Sequence, residues 1–546
     1  MDLIRRLSCV LLLLLTGNII AQQQAVPDAM PSDMQATDAM RIVVQPHVIY
    51  NANGYGNLAR IRSYFSCASW EWPISDRSWE LLKPLGIDSF RLINIEGNNL
   101  VADSNKQGSY IFQPHPRLKQ GLDDCAKFYV RPHLILGHVI QQALANKTDD
   151  GTLWGVSDWD AYEKYAYDCL AWINENYDFP LIELEVGNEP DINGMKWMLP
   201  DKLALGSLKM YEQYMQIYRA WAGAVTKFTA EKKQKQMQIQ IGGPDVTLYT
   251  FVFADSHWVK RFLQDTSAEN LRVDFVSFHF YGNGGGIGPH TSFGPWQKFD
   301  QYVTDIRRSM RQAQMQRPLR ITEWGPTWHT RKLPDGLLNS SHIGAAWDAA
   351  FLHDLLANDI DDATALIFRN HGTYPDKPYE DNWQWSGYLT RDGNYPKATY
   401  NVFAMFSMLP GQRIEATTQR QNVGVIASAD EHSVGVLAWN MSFDFEHQVD
   451  QSRQQPVQLQ VGKLPFDAKF VSVKRYLVDE THSNLYHFVE TGKVTTGKDV
   501  TDVIAKQTTL QLIEELSIPV VDQHITLPVT QLSPSSVSLW LIRPSH

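Results

Sequence analysis

In Leu184-Glu185-Val186-Gly187-Asn188-Glu189-Pro190-Asp191 an apolar strand breaks off at an Asn-Glu-Pro turn. Helical spacing lies on both sides, over Tyr162–Asn176 before it and Leu203–Phe228 after it. A short buried strand between two amphipathic helices is one unit of a parallel α/β fold. Pro190 ends the strand ladder and stiffens the turn. The turn then carries Glu189 beyond the C-terminal edge of the sheet, where the active sites of α/β barrels gather.

The same alternation extends along most of the chain. Candidate strands are Ile42–Val48, Ser89–Ile93, Tyr129–Leu136, Ile182–Val186, Gln238–Ile241, Phe275–Phe280, Leu319–Thr322 and Ala365–Phe368. Trp347–Leu356 and Lys397–Met408 read as further helices. Eight such units predict a (β/α)8 TIM barrel over residues 41–410, with part of 41–68 an alternative contributor to a second domain. After Leu409-Pro410-Gly411, alternating runs such as Ser433–Trp439, Val457–Val461 and Val537–Ile542 predict an accessory all-β sandwich over 411–546.

Residues 1–21 have the form of a secretory signal peptide, with Arg5 and Arg6 before the apolar run Val10–Leu15. A secreted or periplasmic protein is expected, with a flexible leader over 22–40. That run is too short to span a membrane, and no later segment is long and apolar enough to be an integral membrane helix. Without residues 1–21 the chain holds 47 basic and 59 acidic side chains, a balance of −12 that argues against a nucleic-acid partner. Among the three remaining cysteines, Cys67, Cys125 and Cys169, one disulfide with a leftover thiol and three free thiols both stay open.

A second strand ends on a glutamate in Leu319-Arg320-Ile321-Thr322-Glu323-Trp324-Gly325-Pro326. Counted along the chain, Glu189 closes strand four and Glu323 strand seven, on opposite sides of a barrel mouth. Two carboxyls facing each other across a cleft are what cleavage of a glycosidic bond requires. One protonates the leaving oxygen while the other attacks the anomeric carbon, and about 5–5.5 Å between them gives retention of configuration. The expected partner is an oligosaccharide, and no cofactor is implied. The 17 Trp and 22 Tyr include core residues, and some are candidate platforms for a sugar's apolar face.

Asn188-Glu189-Pro190 followed by Thr322-Glu323-Trp324 resembles clan A of the glycoside hydrolases, and within it family 39, which includes β-xylosidases and α-L-iduronidases. That resemblance implies a barrel with an accessory sandwich and a retaining hydrolase. It implies Glu189 as acid/base, Glu323 as nucleophile and Asn188 as a substrate contact. His279 and Tyr281 in Ser277-Phe278-His279-Phe280-Tyr281-Gly282 resemble the clan's residues beside the nucleophile, as does Arg91 at the end of strand two. His138, Trp324, Trp328 and Arg369 are further candidate substrate contacts. Two features depart from the family: Gly187 stands where an aromatic is common, and the loop Gly282-Asn283-Gly284-Gly285-Gly286 has no counterpart in its pattern.

A metal-dependent barrel hydrolase would need His, Asp or Cys at ligand spacing, and no His-x-His opens the first strand. A non-catalytic glycan-binding protein on the same frame is the alternative of a different class; retention of both glutamates argues against it. Long loops and abundant Trp point to exo action in a pocket.

Overall fold

The computed structural model describes residues 39–49, 58–69, 72–102, 110–194, 204–231, 237–248, 257–282, 298–327, 335–369, 387–390, 392–419, 422–442, 451–494 and 499–545. Eight parallel strands close into a barrel in chain order. Strands one to four are Ser66–Ser69, Ser89–Leu92, Arg131–Leu136 and Leu181–Val186. Strands five to eight are Gln238–Val246, Phe275–Tyr281, Leu319–Gly325 and Asp362–Ala365.

Local chemistry starts the surrounding helices. Asp158 accepts from the Ala161 N–H ahead of the helix Trp159–Asn176, and Ser207 caps Leu208–Ala230 through Met210. Ser341 caps His342–Ala357 through Ile343. Each cap satisfies a backbone donor that has no partner inside the helix. The helix His342–Ala357 is apolar on all sides, with Ala345, Trp347, Ala349, Phe351 and Leu352 all buried. Such a helix needs cover on every face; the barrel supplies one side and the strands Val434–Asn440 and Ser536–Ser545 of the second sheet supply another.

Ile42–Val48, expected as the first barrel strand, belongs to that second sheet. Met40–Ile49 pairs antiparallel with Gln412–Thr417 and parallel with Gln455–Val461. Its burial alternates, the pattern of a strand with one covered face. The true first strand, Ser66-Cys67-Ala68-Ser69, consists of small residues buried throughout, so it carries no branched or aromatic signal. Strand five also runs farther than expected, through Gly242-Gly243-Pro244-Asp245 to Val246.

The second sheet has ten strands and curls over its own core, where Met40, Val44, Val457, Val471 and Trp540 meet. Along Val434–Asn440 every side chain is buried: Val434, Val436 and Ala438 face this core, whereas Leu437 and Trp439 face the barrel's core. Cys67, Cys125 and Cys169 are buried free thiols. No helix among the described residues is long and apolar enough to cross a membrane.

The barrel interior is ionic where branched aliphatics usually fill it. Toward the N-terminal ends of the strands, Glu183 lies 2.7 Å from Arg320 and 3.1 Å from Arg131, which also reaches Asp362 at 3.2 Å. His133 sits between Glu183 at 3.7 Å and Glu185 at 3.3 Å. Glu185 in turn holds Arg91 at 2.9 Å. A file of acidic, basic and imidazole groups therefore runs from the floor of the barrel to its mouth.

Candidate active site

Strand geometry delivers the two glutamates. At strand four, Gly187 and Glu189 both have left-handed backbones, with φ of 83° and 46°. A side chain at Gly187 would find room, its nearest neighbour being Tyr214 at 3.6 Å. It is the backbone conformation that favours glycine where the family carries an aromatic. The turn is tied to strand five: the Glu189 N–H donates to the Asp245 carbonyl at 3.1 Å, and the Asp191 carboxylate accepts from the Thr247 hydroxyl at 2.8 Å.

At strand seven the register against strand six slips, Phe278 pairing with Ile321 and His279 with Glu323. The extra residue is Thr322. This bulge turns Thr322 and Glu323 inward together, while Ile321 and Trp324 face the helices. The Thr322 hydroxyl donates to Asp245 Oδ1 at 2.9 Å.

Glu323 is fully engaged. Its Oε1 accepts from Arg91 Nη1 at 2.7 Å and its Oε2 from the Tyr281 hydroxyl at 2.7 Å, with His279 Nδ1 3.4 Å from Oε2. Burial alone would raise this carboxyl's pKa, but the His279 and Arg91 charges and the Tyr281 hydroxyl override it and hold Glu323 below the usual carboxylate range. Glu189 is the more open of the two, its side chain 17% exposed against 7% for Glu323. His279 Nδ1 lies 3.1 Å from Glu189 Oε1. One oxygen of each glutamate and one nitrogen of His279 all fall within 4.8 Å of one another.

Arg91 is buried among three carboxylates, reaching Glu185, Asp245 at 2.8 Å and Glu323, and it also donates to Asn188 Oδ1 at 3.1 Å. Burial would weaken its charge; the Asp245, Glu185 and Glu323 carboxylates more than offset this and raise its pKa. Burial alone would raise the Glu185 carboxyl, but Arg91, His133 and His279 together override it and hold it well below the usual carboxylate range. His279 is pushed well above the usual histidine range against its burial, chiefly by Asp245 and then Glu323. His138, at the rim beyond strand three, has its pKa lowered to about 4 by burial and the Arg91 charge. It rests against Glu96, whose carboxyl accepts from the His138 and Val139 N–H groups at 2.8 and 3.0 Å.

The structure thus brings together Asn188, Glu189, Arg91, His279, Tyr281 and Glu323, with His138 at the rim. Trp324 is a correction: it is 1% exposed and packs in the core against Trp347, Phe351 and Phe403. The bulge sets this facing: with Thr322 and Glu323 both turned inward, the next residue, Trp324, points outward. Arg369 turns elsewhere, its guanidinium 5.4 Å from the Phe368 ring and its charge acting on Asp124. Trp328 lies outside the described residues.

Three participants were not anticipated: Asp245, Glu185 and Glu96. Glu185 was visible two residues before Gly187, an acid in an apolar strand. Asp245 was hidden because Gly242-Gly243-Pro244 reads as the end of a strand.

The pattern of the glycosyl hydrolases family 39 matches residues 182–496. A beta-xylosidase from Geobacillus stearothermophilus is 23% identical over 314 residues, 55% of this chain and 54% of that protein, so the chain spans about half the length of this curated relative. Among solved structures, a GH39 enzyme from Xanthomonas axonopodis pv. citri superposes with a TM-score of 0.70 at 16% identity, covering 93% of this chain and 98% of that one. A monomeric beta-xylosidase from Caulobacter crescentus gives 0.69 at 17% identity, covering 93% and 100%. At these identities the structural likeness speaks to the fold, a barrel with a sandwich.

Proposed function

The chain belongs to glycosyl hydrolases family 39, and we propose that it is a glycosidase, a retaining, exo-acting enzyme on oligosaccharides with Glu323 as nucleophile and Glu189 as acid/base. The observation that supports the retaining reading is that one oxygen of Glu189 lies within 4.8 Å of one oxygen of Glu323. A pair set for inversion stands about 6.5–9.5 Å apart to admit a water.

In the first step a Glu323 oxygen attacks the anomeric carbon as the glycosidic C–O bond breaks. Glu189 gives its proton to the departing oxygen, and the sugar is left as an ester on Glu323. In the second step Glu189, now a carboxylate, takes a proton from water. That water attacks the anomeric carbon, releasing the sugar and the Glu323 carboxylate. Arg91 and Tyr281 suit Glu323 to attack as an anion. The bond from Arg91 fixes the carbonyl side of Asn188, leaving its amide to face a sugar hydroxyl. Neutral His138 is a second hydroxyl partner at the rim.

β-Xylosides head the substrate panel because the curated relative is a beta-xylosidase. Exo action in a pocket rests on the sequence alone, on its abundance of Trp around the two glutamate segments. Residues 1–21 fit export to a secreted or periplasmic location.

The test follows the first-formed anomer by proton NMR, with oligosaccharides and aryl glycosides and with Glu189→Ala and Glu323→Ala alongside wild type. Retention, with turnover lost in the Glu323 variant, is the expected outcome. Inversion would sink the two-glutamate assignment, and mid-chain fragments from a polymer would sink exo action.

A further inference from the structure

The wall of the mouth between strands two and three holds a buried acid that the double displacement does not use. Glu96 follows strand two, and its side chain is fully buried. Its Oε2 accepts from the His138 and Val139 N–H groups, and the Gly137 N–H also acts on the carboxyl as a donor. Three successive N–H groups just past strand three thus form an anion nest. The left-handed backbone of Gly137, φ 85°, allows it. A side chain at Gly137 would also meet Ile217 and Trp221 at 2.9 Å. Oε1 accepts from the Tyr165 hydroxyl at 3.1 Å, and that hydroxyl accepts in turn from Asn99 Nδ2 at 3.1 Å. Each of these partners is a donor, the surroundings that suit an anion. Burial pushes the carboxyl up to about 7 against them, so Glu96 is ionised at pH 8.

His138 carries this nest to the mouth, its side chain 20% exposed. The Arg91 charge acts on the ring. The Gly187 N–H donates to the Leu136 carbonyl at 2.7 Å, so the wall shares an edge with the turn that carries Asn188 and Glu189. Glu96 orients the ring, with Nδ1 3.3 Å from Oε2. A lone pair on Nδ1 would be repelled by that oxygen, whereas a proton there is attracted. A neutral ring with its proton on Nδ1 has its lone pair on Nε2.

We propose that Glu96 is a positioning residue for sugar selection: it holds the His138 ring in the Nδ1–H form, so that Nε2 accepts from a free hydroxyl of the sugar seated against Glu323. This rests on the reading above that the mouth takes a glycoside, and it is independent of the anomer released. The substrate class that follows is a sugar unmodified at the carbon facing His138. A sulfate ester, a carboxylate or the ether of an anhydro ring at that carbon has no proton to give, and it sets oxygen lone pairs against the one on Nε2.

The experiment compares wild type with Glu96→Leu, His138→Leu and the double variant at pH 8. The substrates are the aryl glycoside that the glycan panel identifies and its monodeoxy analogues. The two loops are also joined without Glu96: the Asn99 N–H donates to Gln141 Oε1 at 2.9 Å, Gln141 Nε2 to the Gly97 carbonyl at 2.9 Å, and the Gln142 N–H to Asn98 Oδ1 at 3.2 Å. Each single variant should lose roughly three- to tenfold in kcat/KM on the parent glycoside, the contribution of one hydrogen bond. The double variant should lose no more than His138→Leu, because Glu96 acts through the ring. One monodeoxy analogue should be turned over equally by wild type and variants, while the others repeat the parent's loss. Equal loss on every analogue, or additive losses in the double variant, would overturn the proposal, since a merely structural defect behaves that way. Wild type supplies an arm that does not need Glu96→Leu to fold, through 15N-histidine NMR at pH 8 with His138→Gln identifying the signals. A proton on Nδ1 of His138 is expected, and a proton on Nε2 refutes the proposal. An inverted product would strike the retaining reading alone. Absence of turnover on every glycoside would strike the glycosidase reading, and the wild-type spectrum would still decide whether Glu96 sets the ring.

Discussion

Replacing Tyr281 with Phe removes one oxygen from the barrel mouth and leaves the ring in place. The ring is packed with Ala68, Ile93, Ile135, Leu366 and Ile367, so the change is confined to the 2.7 Å bond from its hydroxyl to Glu323 Oε2. Hydrogen bonds to a charged group contribute about 1.5–3 kcal/mol, and one pKa unit corresponds to about 1.36 kcal/mol. Loss of this donor should therefore raise the Glu323 pKa by about one to two units. Arg91 on Oε1 keeps the shift from being larger. The sign follows from which form is stabilised: Tyr281 favours the anion, so without it protonation sets in at higher pH. The assay is kcat/KM across pH for a substrate found in the glycan panel, because that profile reports the free enzyme's acid and base. The acid limb should move up while the basic limb stays. Well below the wild-type limb, activity should fall by roughly ten- to a hundredfold relative to wild type. An unmoved acid limb in a variant of unchanged melting temperature would refute the assignment of that limb to Glu323. A shift confined to the basic limb would mean that Tyr281 acts on Glu189 instead.

Two further predictions test the frame around the site. Trp324→Ala should cost about 3–5 kcal/mol of stability, as truncation of a fully buried tryptophan does; KM should stay near wild type, whereas a large KM rise with unchanged stability would restore Trp324 as a sugar platform. Asp348, buried and accepting from Thr399 at 2.7 Å, has its pKa raised by burial to about 7. A raised folded-state pKa favours the native protein at low pH, and this contribution is lost as pH rises from the unfolded value through about 7. Asp348→Asn should therefore leave stability at pH 4 nearly unchanged and increase it at pH 8 by up to a few kcal/mol, read as urea midpoints at the two values; equal effects at both pH values would show that Asp348 is not protonated in the native protein.

The barrel was legible wherever its strands are apolar and end in a turn. Glu189 and Glu323 stand at such ends, and the count along the chain placed them opposite each other. Legibility failed where the barrel departs from the aliphatic pattern. Ser66–Ser69 is a buried strand without large side chains, and its place in the count was taken by Met40–Ile49, whose alternation belongs to a sheet with one covered face. Trp324 was misplaced because the Thr322 bulge sets the local facing, and a bulge leaves no mark in composition. Asp245 was missed for the same reason: register slips at strand five between Pro244 and Val246, which turns an acid inward after an apparent strand end.

These polar departures are connected through Arg91. A buried guanidinium directed wholly at Glu323 would stabilise the anion strongly, and a carboxylate held too low is a weaker nucleophile. Here Arg91 is divided among Glu185, Asp245 and Glu323. Glu185 and Asp245 each place a negative charge near Glu323, which opposes part of what Arg91 and His279 contribute. Glu185 is itself backed by His133, and His133 by Glu183 on the barrel floor. The ionic interior thus fixes how much positive charge reaches Glu323, the proposed nucleophile. That amount is enough to keep Glu323 ionised in a buried site, and it is shared with enough acids to leave its lone pairs available for attack.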